Sequence, residues 1–78
     1  MITPGMNSGT VAITNSDAVP LRLILEPWAD EVVVAPGKTI RVAFSGPDGG
    51  LLQVEVKQNE VILYGWEGST LSVLDDVL

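Results

Sequence analysis

The sequence predicts an all-β protein, a small antiparallel β-sandwich of about seven strands with no core helix. Short apolar, β-branched runs recur at intervals of about 8 to 12 residues, which is typical of immunoglobulin-like and jelly-roll-like topologies. Clusters of glycine, proline, asparagine and aspartate separate these runs and predict turns. No window keeps a helical apolar period over the length that a core helix needs.

The chain has 78 residues, which is enough for one domain. Residues 1–9 contain Pro4, Gly5 and Gly9 without any periodicity and predict a flexible N-terminal arm. The β-sandwich domain is expected to span residues 10–74, and residues 75–78 are expected to form a short acidic tail.

The first strand is expected at residues 10–14, where Val11 and Ile13 alternate with small or polar residues before an Asn-Ser-Asp turn. The second strand, residues 19–25, carries leucines on one face and Ile24 on the other, so both of its faces are apolar. Such a strand is central in its sheet or faces a partner.

The third and fourth strands are bounded by prolines. Pro27 removes a backbone donor and ends the second strand, and Trp28 follows it in a corner. Residues 31–35 are rich in valine and are expected to form the third strand. Pro36 and the following glycine predict a tight turn that leads to the fourth strand, residues 39–45. Residues 46–50 combine one proline with three glycines and predict a loop.

The last three strands are expected at residues 52–57, 61–66 and 70–74. The fifth alternates aliphatic side chains with charged or amide ones and should be half exposed. The sixth offers apolar residues on both faces, like the second and third. One sandwich core does not use both faces of a strand, so we expect an apolar patch that serves association with a protein.

Two closures of the hairpin between the fifth and sixth strands are possible, and they place the side chains of the sixth strand on opposite faces. A two-residue loop pairs Lys57 with Glu60 and puts Ile62, Tyr64 and Trp66 on the polar face. A three-residue loop puts those side chains in the core. Burial of an aromatic side chain contributes about 2–3 kcal/mol, against a few tenths for the ion pair, so the energetics favour the three-residue loop.

The composition excludes several chemistries. Without cysteine there is no thiol nucleophile or thiolate ligand, and without histidine there is no imidazole base. Ten acidic and four basic residues give a net charge of −6, which disfavours direct contact with nucleic acid or anionic membranes. No apolar run is long enough to span a membrane, and residues 1–9 lack a secretion signal. We therefore expect a cytoplasmic protein that is not an enzyme and has no metal or cofactor.

Candidate contact residues lie at two tryptophan corners. Trp28 with its neighbouring carboxylates could bind a carbohydrate or another small ligand, but carboxylates are also common in solvated turns, and Trp28 is expected to cap one end of the sandwich. The candidate set for an interface or a ligand contact is Glu26, Trp28, Asp30, Glu31, Ile62, Tyr64 and Trp66. No catalytic, cofactor-binding or metal-binding residue is assigned.

These corners resemble those of a group of small uncharacterised bacterial all-β proteins of about this length. The segments that carry the resemblance are Leu25-Glu26-Pro27-Trp28, Asp30-Glu31, Ala35-Pro36-Gly37 and Gly65-Trp66-Glu67-Gly68-Ser69-Thr70. The similarity spans residues 23–73. It implies a bacterial β-domain and implies no particular mechanism.

Taken together, these observations predict a non-enzymatic β-sandwich that acts by protein contact and self-associates through an apolar sheet face or an edge strand. One alternative is a carbohydrate- or small-ligand-binding module that uses Trp28. Another is an acidic inhibitor of a nucleic-acid-binding protein.

Overall fold

The computed structural model describes residues 5–74, which form seven strands and no helix. The strands are β1 (Met6–Thr14), β2 (Leu21–Glu26), β3 (Asp30–Val34), β4 (Thr39–Pro47), β5 (Gln53–Lys57), β6 (Glu60–Tyr64) and β7 (Thr70–Leu74). They make a three-stranded sheet in the order β1-β4-β7 and a four-stranded sheet in the order β3-β2-β6-β5. The predicted all-β sandwich of seven strands is confirmed. The acidic tail expected at residues 75–78 lies outside the described residues.

The first strand begins at Met6, not at residue 10. Residues 6–9, which the sequence assigned to an arm, pair with β4 from Met6 opposite Pro47 onward. They find partners because β4 continues into the stretch that was expected to be a loop. Gly9 lies directly against the ring of Phe44, where a Cβ atom would stand 2.9 Å from the ring carbon Cζ. Pairing therefore orders a segment whose own sequence has no strand periodicity.

Four of the five strand pairs are antiparallel, as expected, but β2 and β6 are parallel. Leu23 lies opposite Val61 and Leu25 opposite Leu63 in this pair. Parallel neighbours end at the same edge of a sheet, and here the segments that follow β2 and β6 leave side by side. The N–H of Gly65 donates to the carbonyl of Glu26 at 2.8 Å and continues the pairing past the strand ends.

The core lies between the two sheets. Its most buried side chains are Leu23, Leu25, Val34, Val42 and Leu63. Val11 and Ile13 of β1 and Leu71 and Val73 of β7 are among the partly buried residues that pack against this cluster. The leucines of β2 occupy the face that the sequence predicted for the core.

The β5–β6 hairpin closes with the two-residue loop, so the closure that the energetics favoured is wrong. Lys57 lies opposite Glu60, Glu55 opposite Ile62, and Asn59 adopts a φ of 61°. Asparagine tolerates this left-handed conformation better than most residues. The energetic argument failed because it assumed that only one face of β6 is covered, whereas Leu63 is buried in the core and Ile62 is buried on the opposite face.

Side chains on the outer face of the four-stranded sheet cover the apolar residues that do not point into the core. Arg22 reaches across this face, with Nε 2.7 Å from Glu31 and Nη1 2.9 Å from Glu60. Ile24 and Ile62 are register partners on the same face. Of the apolar side chains in residues 21–25, 32–34 and 61–66, Val33 is the one that stays exposed. The patch expected from these two-sided strands is therefore largely absent.

Asn15 joins three segments at the end of the sandwich where β2 and β4 begin. It is buried, and its side-chain Nδ2 donates to the carbonyls of Val19 at 2.8 Å and of Val34 at 2.9 Å. Its Oδ1 accepts the N–H of Asp17 at 2.9 Å. The backbone of Asn15 also bonds to Gly37 and Lys38 in the turn between β3 and β4. The residue that the sequence marked only as a turn signal is thus a tertiary anchor.

Candidate functional site

Two surfaces stand out as candidate sites. The first, called here the corner pocket, lies where the parallel strands β2 and β6 end. It is lined by residues 26–28 and 64–69 and has a volume of about 520 Å³. It brings the two tryptophan corners together, because the segments that follow two neighbouring parallel strands meet at one sheet edge.

Trp66 forms the inner wall of the corner pocket. Its indole Nε1–H donates to the carbonyl of Pro47 at 2.9 Å. Its ring meets Phe44 edge-on, with centroids 6.3 Å apart and planes at 65°. Gly50 packs on the same ring so closely that a Cβ atom there would overlap it. Trp66 therefore closes one end of the sandwich, which is the role that the sequence assigned to Trp28.

The turn after Trp66 is held by Ser69. The backbone N–H of Trp66 donates to Ser69 Oγ at 2.8 Å, and the N–H of Ser69 donates back to the carbonyl of Trp66 at 2.8 Å. Gly68 adopts a φ of 83°, which favours glycine. A Cβ atom on Gly65 would stand 2.6 Å from Ser69 Oγ and 3.1 Å from a Trp28 ring carbon. The floor of the pocket thus requires a glycine at this point.

Trp28 is the exposed aromatic residue of the corner pocket. It follows the cis peptide bond between Glu26 and Pro27, and Ala29 after it adopts a φ of 61°. Its side chain is 43 % exposed, so the expectation that it caps the sandwich is wrong. Trp66 instead packs against Phe44 and Gly50 at this end of the sandwich. Trp28 is left in contact with both the pocket and solvent.

Tyr64 closes the side of the pocket toward β5. Its hydroxyl donates to Glu55 Oε1 at 2.6 Å across the hairpin. The hydrogen bond to Glu55 raises the pKa of Tyr64, and partial burial and the negative charges of Glu55, Glu26 and Glu60 raise it further. The neutral phenol is therefore the stable form at physiological pH, and its donor is already used.

The candidate carboxylates divide between two places. Glu26 lines the corner pocket together with Glu67, which the sequence did not single out. Asp30 and Glu31 do not line it. Glu31 lies on the outer sheet face, where the hydrogen bond and charge of Arg22 lower the pKa of its carboxyl group. The expected cluster around Trp28 is dispersed because successive residues of β3 point to opposite faces.

The remaining candidates also divide. Ile62 is buried on the outer face of the four-stranded sheet and does not line the pocket, whereas Tyr64 and Trp66 do. The two-residue hairpin loop explains the position of Tyr64, which the favoured closure would have put in the core. The loop of residues 67–69 was not a predicted site, and its only sequence signal was the Gly-Trp corner itself.

The second surface, called here the β5 edge, consists of Leu51 and the exposed valines of β5. Val54 and Val56 lie opposite Leu63 and Val61, so they share the core-facing side of the sheet. They are nevertheless 50 % and 75 % exposed, and Leu51 is 81 % exposed. The opposing sheet has only three strands and leaves this fourth strand uncovered. Leu51, Val54 and Val56 thus form an exposed apolar group on and next to β5, a strand for which the sequence predicted no apolar patch.

The acidic residues do not form a uniformly negative face. Glu26, Glu31, Glu55 and Glu60 share the outer face of the four-stranded sheet by register, but Arg22 and Lys57 lie on it as well. Within residues 5–74 no group of three or more acidic side chains converges as ligands of a metal ion would. The same part of the chain contains no helix long and apolar enough to cross a membrane.

Comparisons of the chain with protein-family models, with curated proteins and with solved structures found no match. The resemblance to small bacterial β-proteins accordingly stays a prediction.

Proposed function

We propose that this protein is a non-enzymatic, cytoplasmic binding protein that acts by protein contact and self-associates through the β5 edge. The observation that carries the proposal is the pair Val54 and Val56. Both valines point to the core side of their sheet yet are half or more exposed, because no strand of the opposing sheet lies over them. A second copy that extends the sheet would place its own Val56 beside this Val56 and cover part of the exposed apolar surface.

The charge pattern of β5 favours a second copy in antiparallel orientation. Val56 is flanked by Glu55 and Lys57, which lie on the other face of the strand. If β5 pairs with its copy about a two-fold axis at Val56, each Glu55 lies opposite the second copy's Lys57. Such cross-strand pairs of opposite charge stabilise a sheet by roughly 0.2–1 kcal/mol each. The edge is therefore complementary to itself.

The other free edge of this sheet is a poorer candidate. β3 carries Asp30 and Glu31 and no basic residue, so pairing with a copy brings no carboxylate opposite a lysine or arginine of that strand. Its one exposed apolar side chain is Val33. A single strand-to-strand contact is small, so we expect a weak, concentration-dependent dimer at high micromolar concentration.

Sedimentation velocity over a concentration series tests this proposal. The natural chain should shift from monomer to dimer, and Val56→Lys should remain monomeric because a charge on an edge strand opposes pairing. Val33→Lys is the matched control, since it places the same charge on an exposed valine of the other edge. A natural chain that stays monomeric throughout the series, or equal effects of the two lysines, would refute the proposal.

Charge reversal sharpens the test. Lys57→Glu alone places like charges opposite one another across the two-fold axis and should weaken the dimer. The double variant Glu55→Lys with Lys57→Glu should restore it. Association that ignores this pattern would show that β5 does not pair in the proposed register.

A second candidate function is small-ligand binding at the corner pocket. The specific observation in its favour is that Glu26, Trp28, Tyr64 and Trp66, four of the seven candidate residues, line one cavity of about 520 Å³. Pockets of this size and mixed aromatic and polar lining are typical of small-molecule sites. Tryptophan fluorescence during titration with a panel of sugars and small amines tests this candidate, and no response from any compound would remove it.

A further inference from the structure

We propose that the corner pocket binds an organic cation, namely an ammonium group carried by a small molecule or by a basic peptide side chain. The indole of Trp28 and the carboxylates of Glu26 and Glu67 would make the contacts. This inference rests on the second candidate function and names its ligand class.

The aromatic and acidic groups of the pocket match such a ligand. A cation near the face of an indole or phenol is attracted by the ring quadrupole, and the attraction is strongest for tryptophan. Trp28 is 43 % exposed, and Tyr64 and Trp66 line the same cavity. Partial desolvation between these rings strengthens the attraction of a cation to a carboxylate.

The charges around the pocket have one sign. Glu26 and Glu67 line it, and none of the residues described as lining it is a lysine or an arginine. Within residues 5–74 no salt bridge joins either glutamate to a base. The negative charge of Glu26 also reaches Tyr64, where it contributes to the raised pKa of the phenol. An anionic ligand would therefore be repelled, and a cationic one attracted.

The hydrogen-bonding groups point to the same class. The indole N–H of Trp66 is bonded to Pro47, and the hydroxyl of Tyr64 is bonded to Glu55. The carboxylates keep their acceptor capacity, because an ionised carboxylate accepts and does not donate. With two carboxylates as acceptors and two of its three aromatic donors in use, the pocket suits a ligand that brings donors or a diffuse positive charge.

Isothermal titration calorimetry with choline as the probe tests the proposal. The reference ligand is its uncharged isostere, in which a quaternary carbon replaces the nitrogen. Shape and apolar area are nearly the same, so the difference isolates the charge. We expect choline to bind about tenfold more tightly than the isostere, with a margin that shrinks as salt is added.

Three variants locate the site. Trp28→Leu removes the ring from a half-exposed position and should reduce the preference for choline, with the fold checked by circular dichroism. Glu26→Gln and Glu67→Gln should each weaken choline binding about fivefold while leaving the isostere unaffected. Glu31→Gln is the matched control, because it removes the same charge outside the pocket and should have little effect.

The outcomes separate the inference from the candidate function beneath it. If the isostere or a neutral sugar binds as well as choline, the pocket binds ligands but the proposed ligand class is wrong. If no probe binds, both fall. Equal effects of Glu31→Gln and Glu26→Gln would also overturn the proposal. A short peptide with one trimethyllysine forms a second arm, in which binding tighter than that of choline identifies a polypeptide as the source of the ammonium group.

Discussion

The anchor residue Asn15 offers a direct test of how the sandwich is held together. Asn15→Ala removes three side-chain hydrogen bonds, two donated to the carbonyls of Val19 and Val34 and one accepted from the N–H of Asp17. Each such bond contributes about 0.5–1.5 kcal/mol net, and a carbonyl left buried without a partner costs more. We therefore expect the free energy of unfolding to fall by about 2–4 kcal/mol.

Urea unfolding followed by tryptophan fluorescence measures this change. In a domain of this size each kcal/mol shifts the Tm by about 4–8 °C, so the Tm should fall by about 8–32 °C. Asn15→Asp should be at least as harmful, because it replaces the donor with an acceptor that faces two carbonyl oxygens. Asn7→Ala, at an exposed position of β1, is the control and should change little. If Asn15→Ala were as mild as the control, the reasoning from hydrogen bonds would be wrong.

Three further predictions concern the hairpin and the first corner. Tyr64 is the only tyrosine, so ultraviolet absorbance titrates it alone, and Glu55→Ala should move its midpoint down toward the ordinary value of about 10. Because the pKa of Tyr64 is raised in the folded protein, the stability that this hydrogen bond contributes should be present below about pH 10 and lost as the pH rises through the folded pKa. A titration midpoint of Tyr64 that is unchanged in Glu55→Ala would contradict the contact. Leu63→Ala should lower the free energy of unfolding by about 2–5 kcal/mol, whereas Val56→Ala should change it by less than about 0.5 kcal/mol. Equal losses of stability in urea melts would mean that the β5–β6 hairpin has a different register. Ala29→Gly should raise the free energy of unfolding, measured by urea melts, by up to about 1 kcal/mol, because glycine adopts the left-handed conformation without the steric cost that alanine bears. A clear decrease in the free energy of unfolding would refute this prediction.

The two proposed sites depend on one feature, the parallel pairing of β2 with β6. That pairing brings the segments that follow both strands to one edge and so builds the corner pocket. It also makes β6 internal and leaves β5 at the edge of the sheet. A change that disrupted this pair would therefore affect the pocket and the β5 edge together, whereas the variants proposed above act on each site separately.

Local pattern was enough to predict much of the fold. Alternation in β1 and β4 indicated their core faces, Val11, Ile13, Ile40 and Val42, because a strand turns successive side chains to opposite sides. Pro36 and Gly37 indicated the turn before β4, where the N–H of Lys38 donates to the carbonyl of Ala35 at 3.1 Å. Pro27 marked the end of β2 within one residue. These features depend on neighbours in sequence.

The hairpin register could not be decided in this way. Both closures satisfied the alternation of β6, and the choice depended on what covers its outer face. Arg22 and Ile24 of the neighbouring strand β2 supply that cover, although they are distant in sequence. An estimate made from the hairpin alone gave the outer face no burial and therefore preferred the wrong loop.

Residues close together along the chain were enough to predict the class of fold, the positions of most strands and turns, and the two corners at which a site was expected. The folded chain was needed to show that the corners meet, that Trp66 packs against Phe44 while Trp28 is exposed, and that Val54 and Val56 of β5 are left uncovered. Strand order and the extent of each sheet are set by contacts between segments that are distant in sequence. Which side chains those contacts bury, and which they leave exposed, is not encoded in the period of any single strand.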